Sequence, residues 1–121
     1  MNIKYLLSAS IVTFATFASM QAHAHAKLES SLPQAGALLS EAPKEVRLRF
    51  NEGLEAAFSK IKLLDTKNIE VPLAKVEVDN SNPKAMTATL PPLTAGEYKV
   101  QWSTMTHDGH KTKGEYTFKV K

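Results

Sequence analysis

Strict alternation of apolar and polar residues runs through most of this chain, and no other feature limits its fold so tightly. In "EVRLRF" (45–50), Val46, Leu48 and Phe50 share one side, while Glu45, Arg47 and Arg49 share the other. Successive side chains of an extended strand point to opposite faces, so such a segment builds a sheet that is dry on one side and wet on the other. The segments "KIKLL" (60–64) and "AKVEVD" (74–79) alternate in the same way. "AMTATL" (85–90) groups Met86, Ala88 and Leu90; "EYKVQW" (97–102) groups Tyr98, Val100 and Trp102; "EYTFKV" (115–120) groups Tyr116, Phe118 and Val120. An opening strand near "KLESSLP" brings the total to about seven, a number and spacing that predict an all-β sandwich or barrel with Greek-key connections.

The breaks between these runs carry turn chemistry: "LPQAG" (32–36), "EAPKE" (41–45), "DNSNP" (79–83), "PPLTAG" (91–96) and "HDGHKTKG" (107–114). "NEGLEAAFSK" (51–60) alternates poorly and reads as a loop or a short helical turn. There is no cysteine, so thiolate metal sites, CxxC redox chemistry and cysteine catalysis are excluded, and the domain relies on packing alone.

The first 24 residues follow a different logic. Lys4 precedes the apolar stretch "YLLSASIVTFATFAS", and small residues follow at "AHAHA". This is the pattern of a secretory signal peptide, too short and too polar for a membrane span. Cleavage after Ala24 leaves a domain of residues 25–121 that begins at His25; cleavage after Ala26 leaves Lys27 first. The formal net charge is +3, one unit lower without Lys4, and the charges are interspersed. Nothing in that distribution argues for nucleic acid. No later apolar run is long enough to span a bilayer, so the mature chain is expected to be soluble, and a monomer.

Three pieces of sequence could carry chemistry. In Asp108-Gly109-His110 the two functional residues stand at i and i+2, so in an extended chain they aim at one point while His107 aims elsewhere. An imidazole nitrogen with a carboxylate oxygen suits copper(II) or zinc. The same residues could equally form a polar hairpin turn. A histidine at position 25 freed by cleavage offers its α-amine and its ring Nδ1 to one ion. The amine's ordinary pKa is about 7.7–8.0, so metal can displace its proton near neutral pH. Glu52, between a strand and Gly53, is either a second carboxylate near such a site or a solvated loop charge. No Gly-x-Ser-x-Gly elbow, phosphate loop or paired glycosidase carboxylates appear.

These features together resemble the CopC family of periplasmic copper-binding proteins, including its YobA-like members. The likeness is carried by "HAKLESSLPQAG", "RLRFNEGLEAAFS", "LTAGEYKVQW" and "HDGHKTKGEYTFKVK", in that order, and covers essentially the whole mature chain. It implies a small cupredoxin-like or immunoglobulin-like β-sandwich binding one copper(II) ion per chain. His25 would supply the amine and Nδ1, His110 an imidazole and Asp108 a carboxylate. Glu52 would be an auxiliary ligand or a group bonded to a ligand, and His107 would stand outside the set. The resemblance favours cleavage after Ala24. It also implies a periplasmic copper carrier or chaperone in resistance, homeostasis or uptake, with an inner-membrane transporter of the CopD type as possible partner.

One departure from the family is visible. Some relatives hold copper(I) on a methionine-rich loop with a histidine, whereas "LLDTKNIEVPLAKVEV" here contains neither residue. A copper(II)-only protein is therefore expected. The alternative reading is a histidine-brace monooxygenase, which needs an open coordination position and a flat aromatic surface. Trp102, Tyr98 and Tyr116 read as strand residues instead, and Asp108 in the equatorial plane would block oxygen. The third reading is a metal-free sandwich used in adhesion or assembly.

Overall fold

A computed structural model describes residues 26–121. Nine strands follow in chain order: β1 (Leu28–Leu32), β2 (Leu38–Leu39), β3 (Glu45–Phe50), β4 (Lys60–Leu64), β5 (Glu70–Val71), β6 (Lys75–Val78), β7 (Ala85–Thr89), β8 (Gly96–Met105) and β9 (Lys111–Val120). A single 3-10 turn, Ala56–Phe58, lies in the poorly alternating segment. The strands form a four-stranded sheet ordered β1-β3-β7-β6 and a five-stranded sheet ordered β2-β9-β8-β4-β5. The seven alternating segments all form strands, and the all-β sandwich expected from them is what the chain builds. The two additional strands, β2 and β5, have two residues each, too few to display a period.

The apolar sides of the alternating strands meet between the sheets. Val46, Leu48 and Phe50 of β3 are fully buried, as are Leu63, Val100 and Phe118 from the opposite sheet. Ring packing adds direction: Phe50 meets Trp102 edge-on at 6.2 Å between centroids, and Tyr98 stacks on Phe118 at 5.6 Å. Burying side chains of this size contributes about 1.5–3 kcal/mol each. Val76, on the expected apolar side of its strand, is 37% exposed. Its strand β6 is the outer member of its sheet, so half of its surroundings are solvent.

Strands β8 and β9 run longer than their alternation suggested, pairing in unbroken register from Gly96↔Val120 to Met105↔Lys111. That length carries the connecting turn to one pole of the sandwich. The opening of β1 lies there too, since Leu28 pairs with Phe50 at the far end of β3. Among the described residues no helix is long and apolar enough to cross a membrane.

Candidate metal centre

The β8–β9 connection is a tight turn closed by two backbone bonds: Gly109 N donates to Thr106 O, and Thr106 N donates to His110 O, both at 2.9 Å. Gly109 has φ +87°, a left-handed conformation that glycine adopts without steric cost. The turn brings Asp108 and His110 together, with Asp108 Oδ2 lying 2.9 Å from His110 Nδ1. Both side chains are about half exposed, at 49% and 45%. They converge through a turn, not through the extended chain that the i, i+2 argument assumed.

The second oxygen of Asp108 accepts a bond from the Thr106 hydroxyl. Thr106 is itself buried and bridged to Leu54, so the carboxylate is oriented by a residue anchored in the sandwich. The Thr106 hydroxyl first, and then the His110 ring, hold the Asp108 carboxyl down at about 2. Hydrogen bonds to the charged form favour that form, so Asp108 is an anion throughout the neutral range.

His107 belongs to the same turn but has a different partner. Its Nδ1 lies 2.6 Å from Glu55 Oε1, and its ring rests on Gly53, where an added Cβ would come 2.8 Å from Nε2. Glu55 N donates to Met105 O at 2.8 Å, and Leu54 bridges to Thr106. These contacts fasten the 51–56 connection to the β8–β9 turn. Sequence reasoning missed Glu55, because nothing in its neighbourhood announces a partner so far along the chain.

Glu52 sits on that connection, half-buried, between Asn51 and Gly53. It shares the pole with Asp108 and His110. Among the described residues, however, no three His, Cys, Asp or Glu side chains stand together so as to hold an ion. His25 lies outside the described residues. Its neighbour Ala26 is described: the Ala26 carbonyl accepts from Thr112 Oγ1 at 3.0 Å. Lys27 N donates to Asn51 Oδ1 at 2.7 Å, and Asn51 N donates back to Lys27 O at 3.0 Å. Thr112 follows His110 by two positions and is joined to Thr104 at 2.9 Å. The described chain therefore starts at the pole that carries the Asp108–His110 turn. Met105 and Met86 add no sulfur to it: Met86 is wholly buried in the core, and Met105 lies on the outer face opposite Lys111.

Comparison with known proteins places this architecture in company. The family model described as the CopC domain matches residues 28–121. Protein YobA of Escherichia coli (strain K12) is 38% identical over 117 residues, covering 96% of this chain and 90% of that protein. The crystal structure of CopC from Methylosinus trichosporium OB3b superposes with a TM-score of 0.75 at 33% identity, covering 79% of this chain and 93% of that one. PcoC, described as a methionine rich copper resistance protein from Escherichia coli, gives a TM-score of 0.72 at 39% identity, covering 81% of this chain and 100% of that one.

Proposed function

The chain belongs to the CopC family, and from that premise we propose that it is a periplasmic carrier of one copper(II) ion. Family membership makes it a binding protein and not an enzyme. The donors assigned to the ion are the α-amine and Nδ1 of His25, the Asp108 carboxylate and the His110 imidazole, with Glu52 as an auxiliary group. Copper(II) favours such a mixed nitrogen and oxygen set in tetragonal geometry. Residues 1–24 act as the cleaved signal. An inner-membrane transporter of the CopD type is the proposed exchange partner, in resistance or in uptake.

The observation that carries this reading is the bond that fixes Ala26 beside the turn. Ala26 is bonded to Thr112, two residues from His110, and consecutive Cα atoms are about 3.8 Å apart. Residue 25 is joined by one peptide bond to Ala26, whose carbonyl is held by Thr112. A histidine there has the reach to join the pair. The Asp108 carboxylate is already ionised and loses no proton on binding the ion. Among the described residues Met86 is wholly buried in the core and Met105 is the one methionine next to the turn, so no methionine cluster favours copper(I) over copper(II).

The deciding experiment pairs an intact mass of the exported protein with a copper(II) titration followed by electron spin resonance. The expected result is a mass beginning at His25 and a tetragonal signal that saturates at one equivalent. Loss of that signal in His25→Ala and in His110→Ala completes the expectation. A mass beginning at Lys27, or unchanged binding in both variants, defeats it.

A further inference from the structure

The five-stranded sheet turns one face away from the core, and lysine is the commonest residue on that face. Cross-strand register lines up Lys60, Ser103 and Lys113 in one row and Lys62, Gln101 and Glu115 in the next. Further rows add Lys99, Lys111 and Lys119, the last opposite Glu97. One face therefore gathers six lysines against three glutamates, Glu97, Glu115 and, beside Leu64, Glu70, a balance as large as the formal net charge of the whole chain, +3. Between the two first rows lies the Trp102–Gly114 pair, whose ring packs on the glycine on the core side. Beside that pair is a cavity of about 670 Å³, lined by Lys60, Lys62, Lys113 and Glu115 with Trp102 and Gly114 among its walls.

The chemistry of this face is selective in what it omits. It carries no arginine and no outward aromatic ring; Arg47 and Arg49 both lie on β3, in the other sheet. Protein interfaces concentrate arginine and aromatic residues and are depleted in lysine. Lysine is a hydrated point charge on a flexible stem, without the planar fork that reads a fixed partner geometry. Spread over three neighbouring strands, such charges match a continuous anionic layer, and basic clusters are drawn to anionic lipid surfaces. We propose that the outer face of β4, β8 and β9 is a docking surface for an anionic phospholipid bilayer. Contact is electrostatic and reversible: Leu64 and Met105 on these strands are both half-buried, and Leu38 of β2, beside Lys119, stands exposed only at the margin of the face. The Asp108–His110 turn joins β8 to β9 at one end of the face, so docking holds it beside the bilayer. This inference does not depend on copper.

Vesicle sedimentation with the full exported protein tests it. Binding to phosphatidylglycerol-rich vesicles, none to phosphatidylcholine vesicles, and steep loss of binding between low and physiological salt are expected, since charges are screened over about 8 Å there. K60E/K62E/K113E is expected to lower partitioning by about tenfold or more, while K44E/K75E/K84E, with the same charge change off this face, stays within about threefold. K60Q/K62Q/K113Q gives an intermediate loss, and thermal unfolding of each variant confirms that it is folded. The proposal is overturned if the wild-type protein ignores anionic vesicles, or if the two reversal triples lose binding equally. Binding to soluble polyglutamate with none to vesicles overturns it too, in favour of an acidic protein partner.

Discussion

Two carboxylate–imidazole pairs stand on the same turn, and they are built in opposite ways. Asp108 and His110 are two positions apart and meet at 2.9 Å through the turn's own backbone. His107 and Glu55 meet at 2.6 Å across 52 positions of sequence. The first pair is a local product of Gly109 and Thr106 and presents its donors to solvent. The second acts as a clasp, joining the Glu52-bearing connection to the hairpin. The same two functional groups thus serve the proposed binding in one case and tertiary attachment in the other. The difference lies in what each pair is tied to, not in which residues compose it.

The severest way to break this comparison is to remove the platform under both pairs. Phe50 is fully buried, packs on Trp102 and immediately precedes the connection. Phe50→Ala is expected to cost about 3–5 kcal/mol, read by denaturant unfolding, with both pairs loosened together. Next in size is His110→Ala, which should weaken copper(II) by at least about tenfold, or 1.4 kcal/mol, in competition titrations. His107→Ala should leave affinity within about threefold while amide exchange quickens over residues 51–58. Equal copper losses in the two variants would erase the proposed division of labour.

A subtler separation uses acid. Asp108 should titrate at about 2, followed by the carboxyl carbon shift in the metal-free protein. A depressed carboxyl stabilises the fold above its unfolded value of about 3.9, and that contribution fades as pH falls towards 2. Thr106→Val removes the largest cause of the depression, so the midpoint should rise. An unmoved midpoint would assign the depression to His110 instead. The smallest effect is expected from Glu55→Gln: this exposed clasp is worth about 0–1 kcal/mol, because the Leu54–Thr106 bridge remains. A shift in melting temperature beyond that range would make the clasp structural in its own right.

What could be read in advance follows the same division between local and distant. Strands with four or more alternating residues, such as β3 and β9, announce themselves, because one buried face imposes the period. Strands β2 and β5 do not, being two-residue pairings dictated by their neighbours. The Asp108–His110 pairing was legible since both residues lie within one turn. Glu55 was not, because its meeting with His107 depends on the whole path between them. Gly53 hints at that meeting only in hindsight: the His107 ring leaves no room there for a Cβ. Val76 shows the converse failure, a correct period whose apolar side faces open edge instead of core.

Ala26 and Lys121 lie at opposite poles of the sandwich. Ala26 is held at the pole of the turn, whereas Lys121 N is bonded to Leu39 O, beyond the Gly96↔Val120 end of the hairpin. For anyone handling this protein, that polarity decides where a label belongs. An affinity tag or fluorophore attached ahead of Ala26 crowds the very residues under test. One attached behind Lys121 departs from the remote end and leaves them untouched.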